Sequence, residues 1–295
     1  MSDPTPPAPI GFIGLGRMGL PMAGLLIAAG HPLRGADPSA QARAALEAAG
    51  GVPTHTGAEA ARGAAALICM LPDGDVVRSA LLGPGGALET LPPGALIIDM
   101  SSSAPLGTRA LGAELAARGH PLIDAPVSGG VRRAVDGTLA IMAGGEDTHI
   151  AAANAIFAVL GRATHRTGAL GSGHAMKALN NYVSGAGAAA AIEALQIGAA
   201  FGLDPDLMVE VLNASTGRNN TTEVKLAQFV LSGAFNSGFG IGLMAKDIRM
   251  AAALARDLGA GAGFVETVAR AWEDARDALP PGADHTEIFR APPED

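Results

Sequence analysis

Lysine is scarce in this 295-residue chain: Lys177, Lys225 and Lys246 are the three it has, although Lys and Arg together number 20. Cysteine is scarcer still. Cys69 stands alone, which excludes an intramolecular disulfide, and its place in "ALICML" marks it as a small buried hydrophobe. Aromatics make up 3%, so the core must be built from Ala, Leu, Val, Ile and Met. Basic charge is also lacking. The formal net charge is −8 and no basic run appears, which argues against a nucleic-acid binder. It does not argue against an anionic small ligand, because backbone amides and a few cations build a local site. No uninterrupted apolar run reaches about 18 residues, so no membrane span is expected. The most apolar stretch, "GAGAAAAIEALQIGAAFG", carries Glu193 and Gln196 and reads as a closely packed core helix. The start "MSDPTPPAP" is polar and proline-rich, unlike a signal peptide. Residues 1–8 read as a disordered leader and the tail "RAPPED" as loose. His31, His55, His120, His149, His165, His174 and His285 show no ligand spacing with Cys, Asp or Glu, so no metal is expected. These absences point to a soluble, cytoplasmic protein.

What is present is alternation. "PIGFIG", "HPLRGAD", "AALICML", "GALIIDM", "HPLIDAPV", "TLAIMAGG" and "GRATHRTG" read as short buried strands. "RMGLPMAGLLIAAG", "PSAQARAALEAAG", "PLGTRALGAELAARG" and a single helix around "DTHIAAANAIFAVLG" lie between them. This predicts an α/β fold: an open, mainly parallel sheet with helices on both faces, over residues 1–168. Past Gly168–Gly173 the strand signal fades. A helix from about Gly173 to Phe201 would span about 40 Å. Asp204 and Pro205 cap and begin another. "LMAKDIRMAAALARDLG" and "FVETVARAWEDARDAL" are two more. Residues 169–295 therefore read as an all-α domain joined through a long helix.

Gly14-Leu15-Gly16-Arg17-Met18-Gly19 is G-x-G-x-x-G, after a strand and opening a helix. The first glycine allows the tight turn, the second the approach of a pyrophosphate, the third close helix–strand packing. Asp37 ends the second strand, 23 residues after Gly14. Its carboxylate suits a ribose diol and would repel a 2′-phosphate. Pro38 and Ser39 offer no arginine to such a phosphate, which favours NAD; Arg34 and Arg43 keep NADP open. A plain helix-capping role for Asp37 is compatible with either.

With those residues placed, the chain resembles the β-hydroxyacid dehydrogenases, the 3-hydroxyisobutyrate dehydrogenase and tartronate semialdehyde reductase family. The resemblance runs over about residues 9–289 and rests on four motifs in order: "GFIGLGRMGLPMA", "DAPVSGGVRRAVDGTLAIMAGG", "GSGHAMKALNNYVSG" and "GFGIGLMAKDIRMA". It implies that "MLPDG", with Leu71 and Pro72, and "IDMSSSAP", with Ser102, are cofactor-side loops. It also implies that Ser102 lies between cofactor and substrate. Ser128, Gly129 and Gly130 would hold a substrate carboxylate. Lys246, in the K-D position, would reach the cofactor or substrate side of the cleft, or simply pair with Asp247. Lys177 would be the catalytic lysine.

Chemistry points to Lys177 as well. Hydride transfer to a nicotinamide needs a partner for the alcohol proton, and a partly desolvated lysine can serve. Asn181 lies one turn on, where it can fix the lysine or the substrate hydroxyl. His174, three residues before Lys177, reads as a helix-start residue.

The expected reaction interconverts a short 3-hydroxy acid and its semialdehyde. In the segment 213–223, Asn219 and Asn220 stand where hydroxyisobutyrate enzymes have an aromatic, which leaves a more polar acid open, such as tartronate semialdehyde or sulfolactaldehyde. The 6-phosphogluconate dehydrogenases carry a histidine-asparagine pair where this chain has Asn180-Asn181. A non-catalytic dinucleotide-binding protein of the same fold is the alternative from another class; the lysine speaks against it. The long helix is expected to pack on a second copy, giving a homodimer or homotetramer.

Overall fold

The computed structural model describes residues 8–291; the expected leader up to residue 7 and the last four residues of the tail lie outside the described residues. The chain divides into two compact units, one ending at Lys177 and one beginning at Ala178.

The first unit alternates strongly. Strands β1 (Ile10–Ile13), β2 (Leu33–Ala36), β3 (Val52–Thr54), β4 (Ala66–Cys69), β5 (Leu96–Asp99), β6 (Leu122–Asp124), β7 (Val127–Ser128), β8 (Leu139–Gly144) and β9 (Gly161–Gly168) form one sheet. Its order is β3-β2-β1-β4-β5-β6-β8-β7, with β9 paired to β8. The strands from β3 to β6 are all parallel. β8 runs antiparallel to β6 and β7, and parallel to β9. The mainly parallel sheet thus gains an antiparallel strand: the chain reverses between Ser128 and Leu139, where residues 129–138 are too short a link for a parallel crossover.

Helices α1 (Gly19–Ala28), α2 (Ala40–Ala48), α3 (Gly57–Ala61), α4 (Gly74–Leu82), α5 (Pro105–Ala116) and α6 (Gly130–Asp136) connect the strands. The single helix expected around residues 147–161 is two, α7 (Asp147–Ala152) and α8 (Asn154–Leu160). The break falls at buried Ala153, whose ψ of −6° departs from helical geometry. Buried aliphatics cover both faces of the sheet. Ile10, Phe12, Ile68, Ile98 and Leu26 belong to one cluster; Ile13, Leu67, Ile97, Val77 and Leu115 belong to another. Successive strand residues point to opposite faces, so a strand buried on both sides needs an unbroken apolar run, as "IGFI" and "ALIC" show.

The second unit is helical. Helix α9 (Ser172–Phe201) is a 30-residue element that begins in the first unit. By length and composition α9 could cross a membrane, a test that buried core helices also pass; one-third of its most apolar window is buried. It is followed by α10 (Pro205–Ala214), a π-helical stretch (Thr221–Leu231), α11 (Ile241–Asp257) and α12 (Gly263–Ala278). Asp204 caps α10 through the Asp206 amide, and Pro205 takes its first position, as expected. Trp272, fully buried, anchors a cluster with Met244, Ile248, Ala251 and Val268.

Candidate active site

The strand order 3-2-1-4-5-6 reverses at β1, and the loops that leave the carboxyl ends of neighbouring strands meet there. Gly14 takes φ +97°, a conformation that favours glycine, and an added Cβ there would strike the Met70 carbonyl. A Cβ on Gly19 would strike the Gly14 carbonyl, so the third glycine seats α1 against the loop. Around Gly16 there is nothing within 4 Å of a built Cβ. That open space over the loop, at the start of α1, is where a pyrophosphate fits.

Asp37 holds this loop in shape. Its Oδ2 accepts from the Leu15 amide at 2.7 Å and its Oδ1 from the Ser39 amide at 2.8 Å. The capping role considered for Asp37 belongs instead to Ser39, whose hydroxyl accepts from the Ala42 amide. Each Asp37 oxygen retains a lone pair for a ribose hydroxyl. Arg43 donates to the carbonyls of Asp37 and Pro38 at 2.6 and 2.9 Å, and Arg34 donates to the Arg62 carbonyl.

The two loops expected on the cofactor side lie against this frame. The Leu71 side chain approaches the Gly14 position, and the Leu71 amide donates to Ser101 Oγ at 2.9 Å. Ser101 and Ser103 are buried and bound to Asp99, and Ser102 between them is half-buried. Ser128 ends β7. Gly129 and Gly130, at φ +134° and +68°, open α6. The side chain of Arg133 folds back over Gly129.

Lys177 sits half-buried in the second turn of α9. The first turn of that helix is held from β6. Asp124 Oδ1 accepts from the Gly171 amide and Oδ2 from the His174 amide, both at 2.7 Å. His174 is a helix-start residue, as expected, and a fully buried one. Its Nδ1 lies 2.8 Å from Thr108 Oγ1. Burial pushes the Asp124 carboxyl upward, against the pull of His174 and the two amides. Burial, with Asp99 nearby, raises the Cys69 thiol far up, which fits an inert core cysteine.

In the second unit Asn181 is buried, and its Nδ2 donates to Asp247 Oδ2 at 2.6 Å. Its Oδ1 accepts from Asn180 at 3.1 Å. Asp247 also lies 3.7 Å from Lys246 Nζ. The pairing of Lys246 with Asp247 is therefore present, and Asp247, only 2% exposed, also orients Asn181. Asn219 is committed to the backbone: its Oδ1 accepts from the amides of Thr221 and Thr222, and its Nδ2 donates to the Gly187 carbonyl. The polar pair read from sequence is thus one exposed residue, Asn220, beside a capping residue.

Residues 9–171 match the family model of the NAD-binding domain of 6-phosphogluconate dehydrogenase. Residues 171–291 match that of the NAD-binding domain of NADP-dependent 3-hydroxyisobutyrate dehydrogenase. The chain is 38% identical over 251 residues to 3-sulfolactaldehyde reductase of Escherichia coli, covering 85% of this chain and 84% of the relative. It is 36% identical over 242 residues to 2-(hydroxymethyl)glutarate dehydrogenase of Eubacterium barkeri, covering 82% and 80%. This chain belongs to the β-hydroxyacid dehydrogenase family. Among solved structures, Mycobacterium tuberculosis 3-hydroxyisobutyrate dehydrogenase with L-serine is similar at TM-score 0.88 and 30% identity, covering 96% of this chain and 98% of that one.

As a β-hydroxyacid dehydrogenase it is an NAD(P)-dependent oxidoreductase acting on CH–OH donors. One group of this dehydrogenase escaped the sequence reading, Asp124, which holds the start of α9; Asp247 was read as a partner for Lys246, and its bond to Asn181 was not. Each acid stands inside a quoted motif, at the head of "DAPVSGG" and in "AKD". The sequence signal was a carboxylate in an apolar setting, which must find a partner.

Proposed function

We propose that this chain is an NAD-preferring β-hydroxyacid dehydrogenase that interconverts a small 3-hydroxy acid of the 3-hydroxyisobutyrate type and its semialdehyde. The observation that carries the reading is Lys177, half-buried on a helix whose start is pinned to the sheet that bears the glycine loop.

Gly14, Leu15, Gly16, Arg17, Met18 and Gly19 hold the pyrophosphate, with Leu71, Pro72, Ser102 and Lys246 along the rest of the cofactor. Asp37 holds the adenosine ribose. The preference for NAD rests on that carboxylate and on Arg43, whose guanidinium is engaged by two carbonyls. A nicotinamide held by these residues would supply the acceptor for the hydride of the carbinol carbon. Lys177, as the free amine, takes the hydroxyl proton on oxidation; as the ammonium, it returns it on reduction. Asn181, fixed by Asp247, positions the substrate hydroxyl. Ser128, Gly129 and Gly130 bind the carboxylate, with Ser102 and Lys246 closing the substrate side.

We also infer a soluble, cytoplasmic homo-oligomer, a dimer or tetramer. Met176, Leu179, Val183, Ile197 and Phe201 recur at helical spacing along α9 and are exposed, Phe201 at 84%. A stripe of that kind is what a second copy would cover.

The test is formation or loss of NADH in the NAD arm and of NADPH in the NADP arm, over a panel of short 3-hydroxy acids and semialdehydes that includes the tartronate and sulfolactate types. Lys177→Ala should cut turnover about 10²–10⁴-fold while NAD binding persists. A loss smaller than tenfold would assign the proton to another group.

A further inference from the structure

Beneath the first turn of α9 lies a buried polar assembly to which the reaction above gives no role. Asp124 reaches up from the end of β6 between two glycines. A Cβ on Gly144 would come within 2.6 Å of its Oδ1, and one on Gly173 within 2.8 Å of its Oδ2. The carboxylate has just enough room, and both oxygens accept amides of the incoming helix. It caps α9 from 47 and 50 residues away. That replaces the local side chain that normally does this work.

His174 adds a second tie. The Thr108 hydroxyl lies 2.8 Å from His174 Nδ1 and 3.2 Å from the Ala104 carbonyl oxygen, so one hydroxyl ties the ring to α5. The other ring nitrogen lies 3.8 Å from Asp99 Oδ2 and has no hydrogen-bond partner among the described residues. Asp99 in turn accepts from Ser101 and Ser103, in the loop where Ser101 holds the Leu71 amide. His174 and Lys177 are three residues apart and share a helix face. Any roll of the first turn therefore moves the lysine.

We propose that Asp124, His174 and Thr108 are positioning residues: they set the rotation of the first turn of α9 and so aim Lys177. This rests on the lysine's role proposed above, and the test keeps the two apart.

Thr108→Val is nearly isosteric and removes the hydroxyl that faces His174, together with its bond to the Ala104 carbonyl; Thr108→Ser restores both. Reductive ¹³C-methylation labels all three lysines, and the Lys177 signal is assigned by its loss in Lys177→Arg. In Thr108→Val the Lys177 resonance should shift and return in Thr108→Ser, with the Lys225 and Lys246 signals unmoved. Turnover in Thr108→Val should fall about 10- to 100-fold, with the Kd for NAD within about twofold of wild type. Asp124→Asn should act in the same direction and more strongly. An unmoved Lys177 resonance in Thr108→Val overturns the inference, whatever turnover does. A shifted resonance in an enzyme without lysine-dependent turnover would sink the proposed reaction and leave the positioning role standing.

Discussion

In the unit that ends at Lys177, three glycines of the cofactor loop and the start of α9 press on backbone. A Cβ added at Gly14, Gly19 or Gly173 would strike the carbonyl oxygen of Met70, Gly14 or Met142. In the unit that begins at Ala178, the comparable glycine touches side chains: a Cβ at Gly185 would meet Ile248 at 2.5 Å, Met244 Sδ at 3.3 Å and Trp272 Nε1 at 3.3 Å. Backbone in a sheet cannot retreat without breaking its ladder, whereas a side chain can change rotamer. The first unit thus closes its glycine turns against main chain, and carboxylates such as Asp37 and Asp124 bind the amides of the loops. The second fixes its polar groups by side-chain pairs such as Asn181–Asp247, and it leaves much of its apolar surface uncovered.

The comparison can be broken or sharpened by experiment. The largest effect is expected from Gly19→Ala. The added methyl cannot coexist with the Gly14 carbonyl, so the loop must move and NAD affinity should be lost in a titration. If Gly19→Ala binds NAD like wild type, the first unit is as compliant as the second. Gly185→Ala should cost about 1–3 kcal/mol of stability, the usual range for overpacking a core that can adjust. Denaturant unfolding would measure it, and a failure to fold would show that the helical core is equally rigid.

A third test concerns Asp284, which sits at the start of the 3₁₀ turn His285–Arg290. Burial pushes its carboxyl up, but hydrogen bonds with His285, Thr286 and Ser237 outweigh this and hold it well below the usual carboxylate range. A carboxyl lowered on folding contributes stability above its unfolded value of about 4 and loses it as pH falls below that. Asp284→Asn should therefore flatten the acid limb of stability against pH below about pH 4. An unchanged acid limb would mean that the second unit does not rely on this carboxylate. The smallest effect is expected at Arg78, which pairs with Glu114 at 2.6 Å on the surface. Both side chains are substantially exposed, so Arg78→Ala should change stability by less than about 1 kcal/mol in chemical denaturation.

The same contrast explains what could be read in advance. Strands such as "GFIG" and "LIID" and the turn at Gly14 are written in short stretches, because burial on both faces and a left-handed turn each demand particular residues. Short helices such as α3 and α6 left weaker marks, since one or two turns show little periodicity. The π-helical stretch Thr221–Leu231 left none that we can name. The first turn of α9 was legible as a helix start. Its cap was not, because the capping acid lies about fifty residues upstream.

By itself the sequence determined the α/β alternation, the glycine loop with Asp37 at the end of β2, and the placement of Lys177 on a helix. These follow from local rules: period, turn conformation and the spacing of residues within one element. Only the tertiary structure decided that Asp124 caps α9, that Thr108 holds His174, and that Asp247 rather than solvent takes the Asn181 amide. Those partners are separated by 47 to 66 residues. A buried polar group must be satisfied, but no local pattern says by whom; the folded chain chooses the partner when it brings distant segments into hydrogen-bonding reach.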